Sequence, residues 1–308
     1  AGLWISALAP GLSVTAQAEW VEEDGESYFL DSSGNRVKSD WRTRDGISYY
    51  LDSEGNVATD TWIQNTYYVD AQGAMVKDSW VEEDGESGLK EAGWYYLGQN
   101  GKVEKDTWKT IENFRYSFDS DGKMRTGWHY EDGEVYYLGD PDEGFARTGW
   151  QFLEYSERNR PAEGEISRKL PEGDARGRWF YFQKNGKAKR SPEGSYEAET
   201  IDGRRYYFDA NGMMRTGWLA VRDQVEPGDA VGISRFVYLG GRDEGVVRRQ
   251  WMELTEHPWN SDSRSALTVS SGEYEGPEEG VTCRYDFKSD GTPAFLPKDA
   301  ASLKQAVT

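Results

Sequence analysis

Cysteine, histidine and positive charge are all scarce in this 308-residue chain. It holds one cysteine and two histidines, and 36 basic against 55 acidic side chains leave a net charge of −19. A single cysteine, Cys283, excludes an intrachain disulfide framework. His129 and His257 stand far apart with no cysteine or second histidine beside either, so neither a zinc site nor a histidine-based nucleophile system is expected. The acidic balance excludes binding to nucleic acid through phosphate contacts, which needs a basic face. No run of 18 or more apolar residues is present, so no membrane-spanning helix is expected. Aliphatic residues are thin as well. Leu, Ile, Val and Phe make about 17% of the chain, which with this charge would ordinarily mean disorder. What is abundant reverses that reading: 13 Trp, 19 Tyr and 11 Phe make 14% of the residues. Each aromatic can bury on the order of 150 to 250 Å², which suits a strand-rich, repetitive protein better than one large aliphatic core.

The first 18 residues stand apart. AGLWISALAPGLSVTAQA is uncharged, mostly apolar or small, and ends in Ala16-Gln17-Ala18, the small-x-small pattern that precedes signal-peptidase cleavage. It reads as the remnant of a secretion signal cleaved between Ala18 and Glu19. Secretion with almost no cysteine suits a bacterial exported protein more than a disulfide-rich animal one. Residues 19 to 296 then form the repeat region, and 297 to 308 a tail or the start of a further segment.

Laid against itself, the chain shows about ten units, each a Trp, a turn, a Tyr-rich strand and a tight Gly loop. The strand recurs as SYFLD from Ser27, SYYLD from Ser48, WYYLG from Trp94, RYSFD from Arg115, WFYFQ from Trp179 and RYDFK from Arg284. From its aliphatic or Phe position to the loop glycine the step is four in eight copies, as in Leu30 to Gly34 and Phe208 to Gly212. In the other two, Leu138 to Gly144 and Leu239 to Gly245, it is six. Length varies only between each Trp and the strand that follows, which marks that place as a hairpin tip. Asp45-Gly46, Asp132-Gly133 and Asp202-Gly203 carry the residues that take positive φ there. The longest tips fall at 154 to 178, 222 to 235 and 254 to 282. A lone two-stranded hairpin is marginal, so the units are expected to stack: an all-β, repetitive β-hairpin solenoid of about ten units.

Strand alternation assigns the faces. Tyr28 and Leu30, Tyr49 and Leu51, Tyr95 and Leu97 share a face that is apolar in every copy and is expected to be the core. The other face varies, from Trp94/Tyr96 and Trp179/Tyr181 to Arg115/Ser117 and Arg284/Asp286, and reads as a surface tuned copy by copy.

The units GWYYLGQNGKVEKDTW from Gly93, YYFDANGMMRTGW from Tyr206 and VYYLGDPDEGFARTGW from Val135 resemble the cell-wall-binding, choline-binding repeats of Gram-positive bacteria, related to glucan-binding and clostridial toxin repeats. The resemblance covers roughly residues 19 to 295. It implies a secreted, non-catalytic module without cofactors that holds choline of cell-wall teichoic acids, or a neutral glycan, between successive hairpins. Aromatic faces suit that task, because a quaternary ammonium cannot donate a hydrogen bond and each ring contact adds roughly 0.5 to 2 kcal/mol. Carried over residue by residue, the cage needs the Trp opening a hairpin, an aromatic at the variable strand position and an aromatic from the next unit. Trp80, Trp94, Tyr96 and Trp108 supply one full set; Trp218, Phe236, Tyr238 and Trp251 supply another. Trp150, Trp179 and Tyr181 lack a third partner, because Pro192 or Glu193 stands where the next Trp should fall. Copies with Arg115 or Arg284 at the variable position are expected to be silent. The plainer role for each Trp is packing between hairpins.

Two further readings stay open: the anchor of a wall hydrolase or glucosyltransferase whose catalytic domain lies outside this stretch, and a host-contact surface protein. The Asp-rich Gly loops superficially suggest calcium, but they lack the alternating ligands and distal Glu of a calcium loop. Asp capping its own turn explains them better. Acid pairs such as Glu22-Glu23 lie at hairpin tips, which offer no rigid cleft for glycoside hydrolysis.

Overall fold

The computed structural model describes residues 17–23, 25–153, 177–224, 226–227, 232–258 and 280–294. The secretion signal up to residue 16, the C-terminal tail, most of the tips read at 154 to 178 and 254 to 282, and part of the tip read at 222 to 235 lie outside them. The chain divides into two compact units, residues 1–125 and 126–308. Among the described residues each contains five antiparallel hairpins, and every hairpin is a separate two-stranded sheet.

In the first unit the hairpins are β1 (Glu19–Glu23) with β2 (Glu26–Leu30), β3 (Asp40–Arg44) with β4 (Ile47–Leu51), β5 (Thr61–Ile63) with β6 (Tyr67–Val69), β7 (Ser79–Glu83) with β8 (Gly93–Leu97), and β9 (Thr107–Ile111) with β10 (Phe114–Phe118). In the second they are β11 (Trp128–Glu131) with β12 (Glu134–Tyr137), β13 (Gly149–Leu153) with β14 (Arg178–Phe182), β15 (Ala198–Ile201) with β16 (Arg204–Tyr207), β17 (Trp218–Ala220) with β18 (Phe236–Tyr238), and β19 (Met252–Leu254) with β20 (Cys283–Tyr285). The expected tips are there. Asp45 and Gly46, Asp132 and Gly133, and Asp202 and Gly203 all have positive φ, between 48° and 80°, the geometry that matches the twist of a tight hairpin. The Gly loops are held by their aspartates as expected: the Asp31 carboxylate accepts the Ser33 and Asn35 amides at 2.8 and 2.9 Å, and Asp52, Asp70, Asp119 and Asp209 repeat the pattern.

The face assignment needs correction. Register pairs an opening Trp with the second residue of the variable face of its own hairpin, Trp41 with Tyr50, Trp80 with Tyr96 and Trp108 with Ser117, which puts the Trp on that face. That face is no free surface. Trp20, Trp41, Trp62 and Trp80 each pack on the core-face tyrosine of the following hairpin, Tyr49, Tyr67, Tyr95 and Tyr116, with centroids 4.9 to 5.5 Å apart. Trp128 on Phe180, Trp150 on Tyr206 and Trp218 on Tyr285 continue the series at 4.8 to 4.9 Å. Alternation predicted one buried and one exposed face because it assumes a sheet covered on one side. In a hairpin stack the variable face of one unit is the floor for the next, so both are interfaces.

A second seam reinforces the first. Two residues after seven of the loop glycines an apolar side chain turns inward, and its amide bonds back to the preceding hairpin's variable residue: Val57 to Ser27, Met75 to Ser48, Val103 to Thr66 and Met124 to Trp94, at 2.8 to 3.2 Å. Ala188 to Val135, Met214 to Trp179 and Val247 to Arg205 repeat it at 2.8 to 3.0 Å. The glycines close-pack on the same residues. A Cβ added to Gly122, whose φ is +88°, would lie 2.7 Å from Val103 Cγ2.

Candidate functional site

The hairpin stack leaves recesses between neighbours. Three are walled by the core-face Tyr of one hairpin and the Gly loop after the next, and in two of them the Trp of the preceding hairpin joins the lining. One, of about 410 Å³, is lined by Trp20, Tyr49 and Gln72. Another, of about 500 Å³, is lined by Tyr95, Asp119 and Asp121. The largest, about 910 Å³, is lined by Trp150, Trp179, Tyr206, Met214 and Asp243. What distinguishes the last is the variable position. Ser27 stands there in the first recess, whereas Trp179 turns its ring 84° to that of Trp150, centroids 6.4 Å apart.

The same corner recurs in the first unit. Trp80 and Trp94 lie 6.5 Å apart at 86°, and Met124 donates its amide to the Trp94 carbonyl as Met214 does to that of Trp179. Their surroundings match residue for residue: Tyr96, Tyr116, Phe118 and Met124 cluster about one pair, Tyr181, Tyr206, Phe208 and Met214 about the other. Trp80, Trp94, Trp150 and Trp179 are all half-buried, and Trp150 and Trp179 line the largest of the three recesses. The Trp179 indole donates to the Asp243 carboxylate at 3.2 Å. Arg204 and Arg248 balance Asp243 and Glu244 in the lining, so the rings, not net charge, set what this recess prefers.

Other expected members fall elsewhere. Tyr96 is buried against Trp80, and its hydroxyl donates to Asp78 at 2.6 Å; burial and that carboxylate push its pKa up to about 12. It is a wall behind the corner, as is Tyr181, 5.2 Å from Trp150. Trp108 carries the Arg115 guanidinium 4.1 Å above its ring, so the chain's own cation lies on that face. The structure closes the set Trp218, Phe236, Tyr238 and Trp251. Phe236 is 0% exposed, packed with Ile233, Leu254 and Cys283. Trp218 and Tyr238 are in the same buried cluster, with the Trp218 indole bonded to the Glu256 carbonyl at 2.9 Å. Trp251 points outward at 59% exposure beneath Arg284. This corner is filled because residues read as loop tips, Ile233 and Leu254, fold down over it. The missing third partner of Trp150 and Trp179 also has a different identity. A longer connection shifts the register, so Ala198, opposite Tyr207, takes the Trp position, not Pro192 or Glu193.

Half-buried aromatic corners thus recur between the hairpins of a repeat module. The choline-binding repeat family matches residues 56–88, a second choline-binding repeat family matches 105–150, and a cell wall binding repeat matches 19–35 and 199–214. The chain carries repeats of the choline-binding, cell-wall-binding family. No curated protein sequence matches it. Among solved structures it is similar to the autolysin LytC of Streptococcus pneumoniae, at 21% identity over 77% of this chain and a TM-score of 0.32. It spans about half of that protein, 54% of its length. Choline-binding protein F of the same organism, solved in the presence of a peptidoglycan analogue, is 18% identical over 90% of this chain and 93% of its own, with a TM-score of 0.44. The choline-binding domain of the pneumococcal protein CbpL is 28% identical over 58% of this chain and 98% of its own, with a TM-score of 0.32. No helix among the described residues is long and apolar enough to cross a membrane.

Proposed function

We propose that the chain is an exported, non-catalytic module that holds itself or an attached passenger to the bacterial envelope by binding the quaternary ammonium of wall choline at two tryptophan corners, Trp80–Trp94 and Trp150–Trp179. The observation that carries the reading is the recurrence of one geometry, two indoles near 6.5 Å and close to perpendicular, in two separate units. A flat sugar ring stacks on one face and gains little from a second ring at a right angle. A roughly spherical trimethylammonium touches both faces at once, for about 0.5 to 2 kcal/mol each. Two weak sites on one chain reinforce each other on a polymeric wall, because the first contact raises the effective concentration for the second.

The test is a pull-down on purified choline-containing walls with free choline as competitor. Trp94→Ala is expected to weaken retention and Arg115→Ala to leave it intact. Retention of Trp94→Ala at the level of the parent would overturn the proposal, as would a loss that only tracks a lower melting temperature. Elution by a soluble glucan but not by choline would favour a glycan ligand.

A further inference from the structure

The recess between β5/β6 and β7/β8 holds a lysine ammonium against two rings. Trp62 packs on Tyr95, centroids 5.3 Å apart, in the same relation as Trp150 to Tyr206 and Trp20 to Tyr49. The tip joining β7 to β8 carries an extra loop, and its Lys90 folds back into this space. The side chain is 6% exposed. Its ammonium lies 4.9 Å from the Trp62 ring centroid and 5.1 Å from that of Tyr95, within the range of a cation–π contact, and donates to the Asp121 carbonyl at 2.5 Å.

Charges of both signs surround it. Asp119, Asp121 and Lys123 line this recess, with Lys123 paired to Glu91 at 3.2 Å and the Asp119 carboxylate capping its own turn, while Lys105 opposes the ammonium. At the equivalent place in the Trp20–Tyr49 recess the loop offers the neutral Gln72 and no lysine enters. A lysine loses about 1.5 to 2 kcal/mol of side-chain freedom on being ordered, so its burial here needs compensating contacts. Two ring faces and a carbonyl provide them.

We propose that the Trp62–Tyr95 interface is a third cation site, which the chain fills with its own Lys90 ammonium, and that emptying it admits a small quaternary ammonium such as choline. The inference rests on the reading that these inter-hairpin recesses take cations. It adds that one of them is self-occupied, so this repeat contributes no wall binding until the 84–92 loop is displaced.

The experiment is calorimetric titration of the full chain with choline, in the parent and in Lys90→Ala and Lys90→Met, alongside proton NMR of the lysine side chains. The parent is expected to show one lysine whose Cε protons are shifted upfield by the rings, absent from both variants. Lys90→Ala is expected to bind one more choline than the parent. Lys90→Met, whose apolar side chain still fills the space, is expected to match it. A folded Lys90→Ala with unchanged stoichiometry, or a Lys90→Met that gains a site equally, overturns the proposal. So does a parent with no ring-shifted lysine. A parent that binds no choline sinks the two-corner reading instead, and a gain in Lys90→Ala against that background would still uphold the self-occupied site.

Discussion

The second seam of the stack can be tested with one added methyl group at two glycines that share a backbone conformation and differ in their neighbours. Gly46 sits at a hairpin tip with φ +80°, and a Cβ there would meet nothing within 4 Å. Gly122 sits in a Gly loop with φ +88°, and its Cβ would come 2.7 Å from Val103 Cγ2 and 3.0 Å from the Glu104 carbonyl. Alanine in the left-handed region costs about 1 to 2 kcal/mol at either site, and the gain from a stiffer unfolded chain is the same for both. The difference between them therefore isolates the inter-hairpin contact. Overpacking a closed interface costs about 1 to 3 kcal/mol, so Gly46→Ala is expected to lose about 1 to 2 kcal/mol and Gly122→Ala about 2 to 5 kcal/mol. Val103 is buried, and trimming it to Ala makes room for the new methyl group. The double variant Gly122→Ala/Val103→Ala should then be more stable than the sum of its single losses, a positive coupling that urea denaturation followed by tryptophan fluorescence would measure. Equal losses at Gly46 and Gly122, or strict additivity with Val103→Ala, would refute the seam as a source of stability.

Three further outcomes follow from the packing. Phe236→Ala is expected to cost about 3 to 5 kcal/mol in thermal or urea unfolding without lowering the number of cholines bound; a lost binding site with little lost stability would restore Phe236 as a ligand contact. Burial pushes the Lys90 ammonium down from the usual lysine range to about 8, so the unfolded chain binds its proton more tightly than the fold does. Stability therefore rises with pH from about 8 toward 10.4, and the melting temperature of the parent should gain on that of Lys90→Met across that window; parallel curves would contradict it. His257 is buried, its Nε2–H donating to the Val281 carbonyl at 2.9 Å and its Nδ1 accepting from the Tyr285 hydroxyl at 2.6 Å. Burial lowers its pKa, so it contributes stability that is present above about pH 6.5 and falls away below it. A flatter acid limb in His257→Gln is the expected result, and an unchanged limb would refute the neutral assignment.

The hairpins, their tips and the Gly loops were legible in the sequence because each depends on a residue few others can replace: a glycine at positive φ, an aspartate capping its own turn, a Trp at fixed spacing. The corners at Trp94 and Trp179 were legible for the same reason, as aromatics at a position that varies. Alternation could not show that Tyr96 and Tyr181 stand behind those corners, since period-two patterning reports which side chains share a face and not how many neighbours the sheet has. The inward apolar residue two after seven of the loop glycines, from Val57 to Val247, was a regular signal that went unread, because its partner lies a full unit away. Phe236 and Lys90 were illegible for a different reason. Both fates are set by inserted tips, and sequence marks such segments as tolerant of length without showing that Leu254 or an ammonium folds back into the stack.

Choline titration of the full chain against Trp94→Ala, Trp179→Ala and the double variant bears on the central claim most directly. Losing one ring face of a corner removes about 0.5 to 2 kcal/mol, a roughly 2- to 30-fold weakening at that site. Each single variant should weaken one class of site in its own unit, and the double variant both, with urea midpoints close to the parent. Choline binding in the folded double variant at the affinity of the parent would contradict the account.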